Sequence, residues 1–590
     1  MSPLESSWKR RRLRAPREEG EVLAIPPLAE MPATIAENRE LIAKWDVQVL
    51  GRPLTDLRRL AREEALTAAA RFTNQPDAPE RNGLARRASL DVPLIVGGHQ
   101  PELFHPGVWA KNFVLNDLAQ ATGGIGLHLI VDNDAITSTS IAVPVGSREQ
   151  PRIEHIPFDT DANSVPWEEA RLRDESLFRS FPDRVAAALS CWPIEPMLSV
   201  LWPAAIALLP RVSEQPRPRL VDLLTVVRRE AERRAGLSHL ELPISQLCET
   251  ESFAWFVCSL LSDPRRTHTV YNEVVAEYRR VNRVRNRQRP VPDLSIRADG
   301  DWLEFPFWVW QPGDSQRGRL FVRATTNEIQ LANGETVIAT LPLPISGAAE
   351  SAVAQLRALS SRGWKLRPRA LTTTLFARVF LADAFLHGIG GAKYDEMTDR
   401  LIARLFGVAP PSYLTVTATH RLPLSSWNVT LFDVSTLKHR LWDFDHNPER
   451  DIATNRRMEG VSLEFTTLLA EKQGLIAMQQ TQDALGRHDP RRASHAENDQ
   501  RRRRLRALNR HLATLASKTR SALTTDLQTV ESQLAANAVL RSREFSFCLF
   551  SNADDISGRV AGVAEHSLHA IGCTGRGQAP DKCRYAPTAE

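Results

Sequence analysis

Two imidazoles and one amide, His99, Gln100 and His105, fall within seven residues inside the segment Gly97-Gly98-His99-Gln100-Pro101-Glu102-Leu103-Phe104-His105-Pro106-Gly107. These groups supply hydrogen-bond donors and an acid or base that works near neutral pH. The segment follows a short apolar run, Pro93 to Val96, and opens a helical pattern. Its backbone N–H groups and the positive end of that helix would therefore face a ligand. A tight strand-to-helix turn, with His99 and Gln100 bonding the backbone, would need the same residues.

The elements that position this turn follow from periodicity. Pro93 to Gly98, an apolar run ending in glycines, reads as a buried strand, and Val108 to Thr122 carries Val108, Phe113, Leu115, Leu118 and Ala119 on one helical face before the stop at Gly123-Gly124. A second apolar run, Gly126 to Val131, ends in Asp132-Asn133-Asp134. Strand, helix and strand in this order form a βαβ unit, so the chain is α/β, with a doubly wound parallel sheet whose ligands sit at the carboxyl ends of the strands. Both polar clusters lie there.

Further along, residues 166–300 read as a helical insertion, including a basic amphipathic stretch from Tyr271 to Arg289. The aromatic, alternating run from Trp302 to Leu341 reads as a β-rich insertion with a hairpin at Asn333-Gly334; its Pro306 to Trp310 stretch is expected to be core. An α/β pattern resumes with a strand over Leu375–Ala384 and a helix over Tyr394–Phe406. From about Leu463 to Arg543 leucines at three- and four-residue spacing predict two long helices turning near Gly486 to Pro490, with a stutter between Leu515 and Leu523. The resulting division is 1–90 basic lead and helices, 91–165 first half of the core, 166–300 helical insertion, 301–345 β-rich insertion, 346–454 second half of the core, 455–545 long helices and 546–590 tail.

Composition narrows the function. With 590 residues, 42% apolar and 25% charged, the chain is an ordinary globular one of several domains. A net charge of +5 is too small to demand a nucleic-acid partner. Six cysteines without a CxxC pair or zinc-type spacing indicate reduced thiols and no metal site. The longest apolar segment, Met197 to Leu209, contains Pro203 and is shorter than the ~20 residues of a membrane span. A cytoplasmic protein without membrane contact is expected.

The turn resembles the Gly-Gln-Gln-Pro-Gly-Leu-Phe-Thr-Gly-Pro motif of the bacterial cysteine-adding enzymes of bacillithiol biosynthesis, the BshC family. Gly98, Gln100, Pro101, Leu103 and Phe104 match in place; His99 stands for the first Gln and His105 for Thr. The family's Glu-Asp-His-Asp cluster is represented by Val131-Asp132-Asn133-Asp134, which keeps two acids without the imidazole. Its Gly-Gly-Pro-Gly-Glu, before a helix ending Phe-Gly-Val, is represented by Gly388-Ile389-Gly390-Gly391-Ala392 before Phe406-Gly407-Val408. The resemblance spans about residues 90–550. It implies a Rossmann-like core of the nucleotidyltransferase and class I synthetase type, with inserted modules and a C-terminal antiparallel helical coiled coil that pairs subunits into a homodimer.

It also implies a ligase-like enzyme that adds cysteine, or a related amino acid, to an amino-sugar conjugate by forming a carbon–nitrogen bond. On this reading His99, Gln100, Asp132 and Asp134 are catalytic, the two aspartates anchoring an ammonium. Gly98, His105, Lys111, Asn133, Gly388, Gly390 and Gly391 bind the amino-acid and sugar-like ligands. No Walker sequence is present, and ATP or ADP are the cofactor candidates. The rival reading is an RNA- or nucleotide-binding protein without catalysis. It rests on residues 501–545, which hold ten Lys/Arg, among them Arg501 to Arg504, against three acids.

Overall fold

In a computed structural model of the protein, residues 13–73, 92–161, 164–210, 217–314, 316–450, 463–485, 489 and 491–551 are described. The start of the basic lead, the loop from Asn74 to Asn82, most of the turn at Gly486 to Pro490 and the tail with Cys573 and Cys583 lie outside them. The described chain is mixed α/β, and no helix in it is long and apolar enough to cross a membrane. Cys191, Cys248, Cys258 and Cys548 are free thiols. The chain divides into two compact units, one comprising residues up to 143, 154–422 and 543 onward, the other 144–153 and 423–542.

The first unit is organised by a six-stranded sheet of β1 (Val22–Ile25), β4 (Leu94–His99), β5 (Ile125–Ile130), β8 (Leu240–Pro243), β14 (Ala384–His387) and β15 (Leu414–Ala418). The order is β1-β15-β14-β4-β5-β8, and every neighbouring pair is parallel except β1 with β15. The chain proceeds outward from β4 through β5 to β8, then returns at β14 and proceeds the other way to β15. The order thus reverses between β4 and β14, and ligands of parallel sheets collect at the carboxyl ends of the strands flanking such a reversal. Leu94, Ile95 and Val96 are buried on both faces of the sheet, which is why the run is continuously apolar.

Three helices hold these strand ends. Helix α1 (Met31–Ala43) and α2 (Leu54–Thr73) are separated by a small hairpin, β2 (Gln48–Val49) and β3 (Arg52–Pro53). Arg58 and Arg62 of α2 are buried and donate to the carbonyls of Val379 and Leu381, and Arg62 pairs with Asp383 at 2.5 Å. Asp383 in turn accepts the Leu94 N–H at 2.9 Å, so this network sets β14 beside β4. Helix α3 (Pro106–Ala121) joins β4 to β5, with Pro106 at its first position and His105 as N-cap, Nδ1 accepting the Gly107 N–H at 3.1 Å.

Four expectations change. Leu375–Ala384 is not a strand: α4 (Ala370–Phe376) runs into a π-type turn closed by Ala382 N–H to Ala377 O at 2.7 Å, leaving β14 only four residues. A fully buried apolar run does not distinguish helix from strand. Gly388 to Gly391 is not a loop either. Gly388 is the N-cap and Gly390 and Gly391 lie in the first turn of α5 (Ile389–Leu401), which starts before Tyr394. A Cβ on Gly391 would come 2.6 Å from His387 Nδ1, so the close packing of that ring requires glycine. The stretch 166–300 is not purely helical, because β8 within it completes the parallel sheet. Finally, β13 (Lys365–Pro368) joins β9 (Leu303–Trp310), β10 (Gly318–Ala324), β11 (Glu328–Asn333) and β12 (Thr336–Pro342) in an antiparallel sheet of order β12-β11-β10-β9-β13. The Asn333-Gly334 hairpin is present, Gly334 having φ +53°, and Phe305, Phe307 and Trp310 are core.

The second unit contains α6 (Leu431–His446), α7 (Leu463–Asp483), α8 (His495–Leu515) and α9 (Ser517–Leu540), with residues 144–153 from the tip of the hairpin β6 (Ser140–Gly146) and β7 (Pro151–Pro157). The pairs Arg501–Gln479, Arg504–Glu471 and His511–Glu464 fall in opposite chain order, so α7 and α8 are antiparallel. The leucine stutter marks a real break at Ala516, and α6 is an additional partner that packs on α8 and α9. Phe444, Phe465, Leu512 and Leu523 form the small core.

Candidate functional site

The turn between β4 and α3 walls a cavity of about 340 Å³, a small-molecule size. His99, Glu102 and His105 line it from the turn, Thr137, Ser138 and Ser140 from the chain after β5, and Glu544 and Ser546 from the segment after α9. Phe104, Phe158, Trp167 and Leu224 form its apolar wall. The segment after α9 is held in place by backbone bonds, Phe547 N–H to Phe104 O at 2.9 Å and Met197 N–H to Phe550 O at 2.8 Å. Among the described residues no Lys or Arg side chain lines the cavity, whereas two carboxylates do.

The two imidazoles are neutral and oppositely arranged. His99 Nδ1 lies 3.3 Å from the Gln100 carbonyl, which can only accept, so Nδ1 carries the proton and Nε2 offers a lone pair. His105 Nδ1 accepts from Gly107, so its Nε2–H points to Glu544 Oε2 at 3.6 Å. Burial, and for His99 the neighbouring Lys111 charge, lower the pKa values to about 3 and about 4. His99 is thus a hydrogen-bond acceptor, not the acid or base near neutrality that its residue type suggests.

Glu102 fits that role better. Burial raises its pKa, the nearby Asp134 charge adds to the effect, and a hydrogen bond with Thr137 opposes it. A carboxyl so placed holds a proton nearer neutrality than an exposed one and can take and return it. The indole N–H of Trp167, on a fully buried side chain lining the same cavity, has no acceptor among the described residues. A buried donor left unpaired costs about 1–3 kcal/mol, which an acceptor atom on a ligand would offset.

The remaining sequence candidates lie around this cavity but do not line it. Gln100 Nε2 donates to Asp134 Oδ2 at 3.0 Å, and Asp134 also pairs with Arg317 at 3.2 Å. Arg317 bonds the Asn133 carbonyl and lies over the Trp308 ring at 4.7 Å, while Asn133 Nδ2 donates to Pro368 O. Asp132 is completely buried and accepts from both the backbone and the hydroxyl of Ser245. Its burial, with the adjacent Glu168 charge, raises its pKa to about 7. Asp132 therefore supports the end of β5, and an ammonium could reach it only by displacing Ser245. Gly98 sits where a Cβ would come 2.6 Å from the Leu129 carbonyl, and Lys111 Nζ donates to Gly98 O at 2.9 Å. Gly388, Gly390 and Gly391 lie at the end of the neighbouring strand β14, on the other side of Lys111.

Residue types and local spacing gave little sign of several of these groups. Glu102 stands where the resembled motif has glycine, which was the one available signal. Trp167 and Glu544 come from remote chain positions. A further buried cluster was also unforeseen: Glu232 of the helix Leu220–Arg234, with His239 and Glu241, brings metal-capable atoms within 4.8 Å of one another. Arg228 bonds both carboxylates and Arg229 bonds Glu241, so two cations already balance two anions. A divalent ion would leave two excess charges buried, and the cluster is an ion network and not a metal centre. No protein-family model and no curated protein matches the chain.

Proposed function

We propose that the chain is a ligase-like enzyme on a Rossmann-like core, joining the amine of a hydroxylated, amino-sugar-like acceptor to the carboxyl carbon of an amino acid such as cysteine. The observation that carries this reading is the cavity beside the β4–α3 turn, lined by Glu102, Glu544 and four hydroxyl-bearing residues, with no Lys or Arg among the described lining residues. Such a lining suits an ammonium-bearing polyol and repels a phosphate. Glu102 takes the proton that the ammonium must lose before it can attack, and the Trp167 N–H and His105 are donors available to oxygens of the ligand. His99 Nε2 accepts from a hydroxyl.

The reading is tested by calorimetry on the intact chain. Glucosamine should bind, and N-acetylglucosamine, which keeps the ring but lacks the charge, should bind about tenfold more weakly or less, the loss of one charge-assisted hydrogen bond. Equal affinity for the two, or binding of neither together with tight RNA binding at physiological salt, would favour the nucleic-acid alternative. That alternative is weakened by the pairing of Arg504 with Glu471 and Arg520 with Asp445, which leaves fewer arginines to meet phosphates.

The helices of the second unit supply the coiled coil and the subunit contact in this proposal. Leu431, Phe432, Trp442, Leu463 and Met478 are more than half exposed there, more apolar surface than an isolated helical unit needs. Light scattering of the full chain at tens of micromolar should give twice the 66.0 kDa chain mass. A mass of one chain would contradict the dimer.

A further inference from the structure

A second cavity, of about 470 Å³, lies on the β8 side of the sheet and shares no described lining residue with the acid-lined one. Its apolar wall is Ala204, Ala207 and Leu208, from the helix Leu198–Ile206 and the turn after it, with Val226 and Leu237. Ala207 and Leu208 are exposed, whereas Glu232, His239 and Glu241 are buried, so the space runs from solvent into the polar network beside β8. A pocket of this size takes a small molecule.

The charges along it are already matched. Glu232 pairs with Arg228, Glu241 with Arg228 and Arg229, and Glu230 with Arg233 and Arg234. Thr73 Oγ1 accepts the Glu241 N–H at 2.9 Å, and the Ser238 hydroxyl meets Asn116 Oδ1. A charged ligand would break these pairs or go uncompensated, whereas an uncharged one leaves them intact.

His239 differs from these groups. Its side chain is 2% exposed, and Nε2 lies 3.4 Å from Glu232 Oε2. A carboxylate only accepts, so Nε2 carries the proton, and Nδ1 is left without a hydrogen-bond partner among the described residues. The ring is held one residue before β8 beside Gly126, where a Cβ would come 3.2 Å from His239 Cβ. Buried polar atoms are ordinarily bonded, and an unbonded one on a residue lining a cavity marks where a ligand's donor belongs.

We propose that this cavity binds an uncharged, largely apolar molecule carrying one hydroxyl or ring N–H, which donates to His239 Nδ1. The apolar wall takes the body of the ligand and the matched charges exclude ionic ones. The site stands apart from the ligase reading, and its test involves no turnover.

Titration of the full chain at neutral pH, followed by ligand-observed NMR, decides it. The probes are 4-methylphenol and indole, each against a methylated counterpart that keeps the shape without the donor, 4-methylanisole and 1-methylindole. At least one donor probe should bind, and which one binds more tightly identifies hydroxyl or ring N–H as the source. Its methylated counterpart should bind about two- to tenfold more weakly, the scale of one neutral hydrogen bond, and 4-methylbenzoate, which adds a charge, more weakly than the donor probe. His239→Leu should abolish the difference between the donor probe and its counterpart. If His239→Leu fails to fold, Ala207→Trp, at an exposed lining position, fills the mouth of the cavity and should abolish binding of both. Binding of neither donor probe, equal affinity of the donor probe and its counterpart for the wild type, tighter binding of 4-methylbenzoate, or affinities unchanged in these variants overturns the proposal.

Discussion

Glu102→Gln should lower turnover by about 10²- to 10⁴-fold, the usual contribution of a positioned proton-transfer group, with the melting temperature changed little. Gln keeps the shape and can still meet Thr137, but it cannot take a proton. Because burial and the Asp134 charge raise the Glu102 pKa, the base form accumulates only above the ordinary carboxylate range, so the wild-type rate should climb with pH on a limb displaced upward from 4.5. Asp134→Asn removes the second of those causes and should shift the limb back toward lower pH. His99→Ala tests the contrasting role. A neutral imidazole that only accepts a hydrogen bond should leave the position of the limb unchanged and raise KM more than it lowers kcat. An unaltered rate in Glu102→Gln would exclude it as the base.

The largest effect on stability is expected at Arg228. Its guanidinium bonds Glu232 at 2.6 Å and also bonds Glu241, while Trp109 and Asn112 donate to the remaining Glu232 oxygen at 3.0 and 2.6 Å. Burial would raise both carboxyl pKa values, but the Arg228 charge outweighs it and holds both at about 2. Arg228→Met strips the main counter-charge from two buried carboxylates and should cost about 3–5 kcal/mol, read as a lower urea midpoint for the first unit. The sign with pH follows from the lowered pKa values. The stabilisation is fully present above the unfolded value of 4.5 and is lost as the pH falls toward 2. The gap between wild type and Arg228→Met should therefore be widest near neutrality and shrink below about pH 4.5. An unfolding free energy within about 0.5 kcal/mol of wild type at pH 7 would show that the network contributes no more than a surface substitution.

The β4–α3–β5 unit is legible in the sequence because each of its signals is local. Leu94 to Val96 and Leu127 to Ile130 are buried on both faces, and glycines and polar residues mark where the strands end. The same logic misses β8, since Leu240–Pro243 is four residues long and carries Glu241, a charge made tolerable by arginines that sequence periodicity does not connect to it. It also turns Leu375–Ala384, the end of α4 with the π-type turn that follows it, into a strand, because complete burial erases helical periodicity.

The candidate site is legible only in its first shell of chain. His99 and His105 are where the motif places them, but their protonation is set by Lys111, Gly107 and the depth of burial. Asp132 and Asp134 are adjacent in sequence and diverge in role, one closed off by Ser245 and the other tied to Gln100 and Arg317. The wall formed by Glu544 and Ser546 arrives from more than 400 residues away and leaves no local mark.

The most direct test is product formation. Purified protein, with and without ATP, is incubated with cysteine and an amino-sugar acceptor, and loss of the free amine is followed together with the appearance of a heavier thiol by mass spectrometry. The account expects a product whose mass equals the two substrates less one water, formed by the wild type and reduced at least 100-fold in Glu102→Gln. No consumption of any amino acid across a panel of amine acceptors, by a chain that still binds structured RNA at physiological salt, would contradict it.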